Sequence, residues 1–310
     1  MLVLSHRPVD RPSRRLHRLA VIVACAALGL AVGMAARADT PSGRRPGEPL
    51  SSPMTVSATD AATIRGLARA VAHGLGIPGR PTAPRRTRLA LDLRVVDESE
   101  VIDRHGRTRA VIRMDGETGE LRSVVRLDWS SAANRPRVDR STAAAEARRQ
   151  AGLAGLVAPP DAPSVGWDEA MDAWRVTWAR RIDGYVATGD GLAVWVYRGG
   201  QLAALKRSET PHAATPGLRF GATAAVEAAL AWAVRQGRSA SDLSAAAADG
   251  LVWVRPNDFL VRGGADDTDI RLHLAYRIDL IVRTAGRVVD HVAIFVDAGS
   301  GALIAGVETA

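Results

Sequence analysis

The sequence predicts an α+β fold of repeated units, each a helix followed by an antiparallel β-meander, with the helices packed on one face of the sheets. Two observations carry this. Three stretches with apolar residues at helical spacing are each followed by short alternating stretches broken by glycine turns. The clearest alternating stretch puts Leu272, Leu274, Tyr276, Ile278, Leu280 and Val282 on one face and Arg271, His273, Arg277, Asp279 and Arg283 on the other. A strand with one wet face belongs to an antiparallel sheet covered on one side, and helix-then-meander order supplies the cover.

The elements follow in order. Ile64, Leu67, Val71 and Leu75 recur at helical spacing behind Asp60, an N-cap candidate, and Pro78 to Pro84 ends that helix. Leu89, Leu91, Leu93 and Val95 then alternate as a half-buried strand. Strands near 109–114 and 121–129 are joined by Asp115-Gly116-Glu117-Thr118-Gly119-Glu120, whose glycines allow the positive φ of a hairpin. The exit strand ends at Trp129. A second helix spans Ser141 to Leu153, capped by Ser141 or Thr142, and a Pro/Gly linker covers Ala158 to Gly166. Strands are expected at Trp174–Trp178, at Leu192–Val196 and, after Gly199-Gly200, at Gln201–Lys206. The third helix, Thr223 to Gln236, stops at Gly237. Leu251–Val254, the strand through Leu280, Val292–Val296 and Leu303–Val307 complete the set.

The 310 residues, 47% hydrophobic and 24% charged, form an ordinary globular composition. Lys206 is the one lysine among 41 cationic residues; arginine use of this kind, beside abundant alanine, suggests a GC-rich bacterial genome. Residues 1–38 have the anatomy of a secretory signal. Arg7, Arg11, Arg14, Arg15 and Arg18 precede an apolar run from Leu19 to Ala36, and Ala36-Arg37-Ala38 is a small-x-small cleavage pattern. The product is expected to be secreted or extracytoplasmic. The run is also near the lower limit for a membrane span, so an uncleaved anchor is the alternative. Without this segment, whose net charge is +5, the formal charge falls from +8 to +3. With no Lys/Arg block interleaved with aromatics, nothing points to nucleic acid. Cys25 is the single cysteine and lies inside the signal, so the mature chain has no disulfide, thiol nucleophile or thiolate metal site. Residues 39–58, rich in Pro, Ser, Gly and Arg, read as a disordered leader.

Chemistry is sparse. No His-Glu-x-x-His occurs, and none of the seven histidines pairs at i, i+4 spacing. Gly299-Ser300-Gly301 sits between strands, whereas a nucleophile elbow needs a strand turning into a helix. Asp266, Asp267 and Asp269 lack the spacing of an EF-hand loop. No catalytic residue, metal ligand or cofactor is expected. Trp174, Trp178, Trp195 and Tyr197 leave two readings open. Trp195 and Tyr197 face opposite to Leu192, Val194 and Val196, so the strand is either sandwiched between two layers or shows partners an aromatic contact surface.

Residues 174–206 resemble the conserved segment of the fungalysin/thermolysin propeptide (FTP): Gly184 and Gly189 take the motif glycines, Leu192 and Val194 the strand, and Gly199-Gly200 the turn. Residues 219–308 resemble the adjoining PepSY module through Leu274-Ala275-Tyr276 and the closing hairpin Val296-Asp297-Ala298-Gly299-Ser300-Gly301. Residues 114–120 look like the same hairpin. This divides the chain into a signal (1–38), a leader (39–58), a diverged PepSY-like unit (59–130), an FTP-like unit (141–210) and a PepSY-like unit (219–310). The resemblance implies PepSY/cystatin-like units and a secreted, non-catalytic, propeptide-like protein that inhibits an extracellular metalloprotease or assists its folding through its sheet surface. The alternative function is a cell-envelope scaffold or sensor held by an uncleaved amino-terminal helix.

Overall fold

The computed structural model describes residues 58–89, 94–128, 137–245, 250–256, 270–284 and 287–308. The expected signal (1–38), the expected leader up to residue 57, Leu91, Leu93, Trp129 and the acids at 266–269 lie outside them. Three α-helices are present among these residues: α1 (Ala58–Gly74), α2 (Arg140–Leu153) and α3 (Ala222–Arg235). None is long and apolar enough to cross a membrane. The strands are β1 (Arg80–Pro81), β2 (Arg85–Arg88), β3 (Val95–Ile102), β4 (Thr108–Asp115), β5 (Leu121–Arg126), β6 (Ser164–Asp168), β7 (Ala173–Ile182), β8 (Tyr185–Tyr197), β9 (Leu202–Ser208), β10 (Leu243–Ala245), β11 (Leu251–Val254), β12 (His273–Thr284), β13 (Arg287–Asp297) and β14 (Leu303–Glu308).

These strands correct the expected architecture. In place of repeated α+β units, each a helix on its own antiparallel meander, the chain builds one 14-stranded mixed sheet. Its main path runs β1-β3-β4-β5-β9-β8-β11-β12-β13-β14, with β2 on β3, β10 on β12 and β6-β7 branching from β8. The physical reason is β8. Its later part pairs with β9, from Gly191↔Ser208 to Val196↔Leu202. Its earlier part pairs in parallel with β11, through Val186↔Val252 and Ala187↔Trp253. The antiparallel strand β7 lines its other side along both parts. Alternation predicts that each strand exists and which side is apolar; it carries no information on which distant strand lies alongside.

β8 changes neighbours at a bend. The register with β7 shifts between Ala179 and Arg181, as a β-bulge requires. Gly191 has φ +121, and a Cβ there would stand 2.2 Å from the carbonyl oxygen of Trp178, so only glycine fits. Asp190 beside it is 4% exposed. Its Oδ2 accepts from an Arg180 guanidinium nitrogen at 3.0 Å and from the Thr210 backbone N–H at 2.8 Å, and its Oδ1 from the Thr210 hydroxyl at 3.0 Å. Thr210 lies just beyond the end of β9, so this carboxylate ties the bulge to the chain leaving the first half of the sheet.

Helices α1 and α2 cover one face of that half. Ile64, Ala68 and Val71 of α1 and Ala143, Ala147 and Ala151 of α2 join Ile112, Val124, Val194 and Leu205 in one buried cluster. The α2 N-cap is Asp139, whose carboxylate accepts from the Thr142 N–H at 2.8 Å, rather than Ser141 or Thr142. Ala225, Ala229 and Ala233 of α3 pack on Ile278, Leu280, Val292 and Ile294 in the second half.

Gly191→Ala should cost at least about 2 kcal/mol through backbone strain and the close carbonyl. Gly166→Ala, whose Cβ meets nothing within 4 Å, should stay within about 0.5 kcal/mol of the parent. Urea-unfolding midpoints of the two variants check this pair.

Candidate functional site

The expected linker before Gly166 contains a strand. Ser164–Asp168 forms β6, which pairs with β7 alone in the register Gly166↔Arg175, Trp167↔Trp174 and Asp168↔Ala173. Alternation divides the side chains between two faces. On the helix-covered face, Trp167 and Trp174 meet edge to face at 5.2 Å between ring centroids, and the Trp174 indole N–H donates to the Val138 carbonyl at 2.8 Å. The Arg198 guanidinium lies 4.6 Å from the Trp167 ring centroid and reaches Asp172 at 3.2 Å. On the opposite face the Trp195 indole donates to Asp168 Oδ2 at 2.8 Å, and Arg175 stands 5.5 Å from the Trp195 ring.

Gly166 leaves this second face without a side chain where β6 is opposite Arg175. The result is an open recess of about 690 Å³ between Ser164, Asp168, Glu169, Arg175 and Thr177. It is a sheet edge with a bare floor, one cation and two carboxylates at its margin. Such a border suits an added extended chain, whose backbone pairs with the edge while alternate side chains fall into the recess.

Of the four aromatic residues singled out in the sequence, three pack inside the chain. Trp178 is 2% exposed and lies under Arg148, Trp195 is 5% exposed and Tyr197 is 4% exposed. Burial pushes the Tyr197 phenol above its ordinary pKa. Only Trp174 is half-buried. Both faces of β8 are therefore apolar because both are covered. The half-buried Trp167–Trp174 pair was not legible, because Trp167 sits in a stretch dense with Pro and Gly; the period-2 pairing of Val165 with Trp167 is the signal that would have found it.

The motif positions are structural. Gly184 makes the β7–β8 turn at φ +84, and Gly189 sits at φ +75 beside the Asp190 bend. Leu274 is 1% exposed, packing with Trp253 and Ile182, and Tyr276 is half-buried against the core under α3. A Cβ on Gly301 would strike the Phe220 ring at 2.4 Å. Asp297 organises its hairpin: Oδ1 accepts the N–H groups of Gly299 (3.1 Å) and Ser300 (2.7 Å) and the Ser300 hydroxyl (2.8 Å). Asp115 binds Glu117 and Thr118 N–H at 3.0 and 2.9 Å in the same way. In each hairpin the hydroxyl three residues on accepts an N–H at 3.3 Å, from Glu120 in one and Ala302 in the other. The likeness read from residues 114–120 is thus a shared turn geometry.

His273 Nδ1 stands 3.8 Å from Asp297 Oδ2, an ion-pair distance. With the Ser300 hydroxyl and the two turn N–H groups, it holds the Asp297 carboxyl at about 2. The Ser300 hydroxyl donates a hydrogen bond to that carboxylate and accepts the Ala302 N–H, the contacts of a turn residue. Among the described residues no group of three His, Cys, Asp or Glu side chains is placed to hold a metal ion.

No family model matches the chain, and no curated protein matches its sequence. Among solved structures, the Bacillus megaterium YpeB C-terminal domain is similar with a TM-score of 0.44 and 11% identity, over 82% of this chain and 98% of that one. At that identity and score the likeness assigns neither a family nor an activity.

Asp297 has a lowered pKa in the folded chain, so it stabilises fully above its unfolded value of about 3.9, and that stability is lost as pH falls through about 2. Asp297→Asn should lower stability at neutral pH and flatten the acid limb between about pH 4 and pH 2. Urea titrations across that window check the sign; an unchanged limb would contradict it.

Proposed function

We propose that the chain is a non-catalytic, extracytoplasmic binding module that takes up an extended segment of a protein partner along β6. The carrying observation is the contrast between this edge and the edge at β1 and β2. That border holds Pro81 in β1 and Arg80, Arg85, Arg86 and Arg88 along its strands, residues that blunt strand addition by removing a donor or adding charge. β6 (Ser-Val-Gly-Trp-Asp) has neither proline nor a basic residue, and Trp167 and Arg198 border it. Backbone pairing would supply affinity and the recess at Gly166 the selectivity. A bound segment would block the partner sterically, with no covalent step. The partner class follows the propeptide resemblance in residues 174–206: an extracellular metalloprotease, inhibited or assisted in folding. The apolar run at 19–36 supports export and equally supports an anchored form.

The purified protein should inhibit a thermolysin-type protease, or raise its refolding yield, at micromolar concentration. Gly166→Arg, which fills the recess where a Cβ meets nothing within 4 Å, should weaken binding by about tenfold or more, or about 1.4 kcal/mol. Absence of binding by the parent, or equal binding by the variant, would reject the reading.

A further inference from the structure

A second recess lies at the turn between β3 and β4, away from the β6 edge. Its volume is about 620 Å³, and Gly79, Arg80, Asp103, Arg104, His105 and Arg109 line it. Both walls are fixed by the backbone. Arg80 pairs with Ile102, and a Cβ on Gly79, whose φ is +136, would stand 2.6 Å from the Ile102 carbonyl oxygen, so the chain before β1 lies directly against the end of β3. The other wall is tied by Asp103, whose Oδ1 accepts the N–H groups of His105 and Arg107 at 2.8 and 2.9 Å.

The charges do not cancel. Asp103 Oδ2 is taken by Arg109, with nitrogen–oxygen distances of 2.8 and 2.6 Å, so the one carboxylate in the recess is spent on that guanidinium. Glu100, the nearest acid along β3, accepts the Thr108 hydroxyl at 2.8 Å. Among the described residues Arg104 donates to His105 Nε2, at 3.1 Å, and to no carboxylate, and Arg80 has no carboxylate partner. Two guanidinium groups therefore stand on a preorganised frame with an uncompensated charge of two. Guanidinium forks match phosphate oxygens, and a doubly charged oxyanion balances this pair. The recess is larger than one phosphate requires, so it also admits a diphosphate or a phosphate carried on a larger molecule.

We propose that the recess between the Pro78–Arg80 turn and the β3–β4 turn is a phosphate-binding site, with Arg80 and Arg104 as the anion ligands and Asp103 and Arg109 as the frame that holds them. The phosphate is either free in solution or borne on a lipid headgroup. Two probes separate these sources: inorganic pyrophosphate titrated by calorimetry at low ionic strength, and sedimentation with vesicles of phosphatidylcholine and phosphatidic acid in equal parts against phosphatidylcholine alone. The parent should bind at least one probe saturably, weakening as salt is added. Arg80→Gln and Arg104→Gln should each lose about tenfold in affinity, and the double variant should lose binding altogether. Both side chains are exposed, so the variants should keep the parent's unfolding midpoint, which separates a lost ligand from a lost fold. Binding of neither probe, or binding that the double variant retains, would overturn the site. The β6 edge plays no part in this test, so the two assignments fail independently.

Discussion

The buried carboxylate of Asp190 is the interaction on which the sheet depends. A strand of thirteen residues (β8) cannot keep one straight partner here, because β9 leaves it at Ser208 while β11 must enter beside Val186 and Ala187. The bulge at Ala179 to Arg181 and the glycine at 191 let β8 bend. A bend exposes polar backbone and leaves room for an ill-fitting side chain. Asp190 fills the place with Arg180 and both polar groups of Thr210. A buried charge is tolerated only when its partners are complete, so the cluster acts as a geometric lock more than as a source of net stability.

From that bend the two sides of the sheet follow. One carries α1 and α2 on the face of β3 to β9, the other carries α3 on β12 and β13. Among the described residues, the branch β7-β6 grows from the other side of β8, and β6 pairs with no strand beyond β7. The aromatic content of β7 and β8 mostly builds the interior around this junction; Arg148 and Arg175 lie over the buried rings of Trp178 and Trp195, and Arg198 lies over the half-buried ring of Trp167. The β6 edge is the border at which partner binding is proposed. The border at β1 and β2, with its proline and arginines, is suited instead to charge.

Much of the local structure was legible. Ile64, Val71 and Leu75 of the first helical stripe are buried while Leu67 is 42% exposed, with Ala68 on the inward side in its place; the alternation of Leu274 to Leu280 gives the covered face of β12, and the Asp-x-x-Thr/Ser-Gly hairpins fold as turn chemistry dictates. The arrangement of these parts was not legible. Two apolar faces on β8 say that it is central and leave its neighbours unnamed, and the parallel pair with β11 joins the segment around Val186 to the one around Val252, much further along the chain. β6 was missed because five residues between prolines and an acidic turn carry too short an alternation to outweigh their composition. The Arg80–Arg104 recess was invisible because it needs two turns, more than twenty residues apart, placed side by side by β1 and β3.

Native-state hydrogen exchange on the Asp190→Ala variant tests the central claim most directly. If this carboxylate locks the bend that unites the sheet, the amides of Val252 and Trp253 in β11, opposite Val186 and Ala187, should lose protection together with Thr210, while Ile112 and Val124 in the α1-covered core keep theirs. Unchanged protection at Val252 and Trp253 would show that β11 is held without the bend, and would contradict the account.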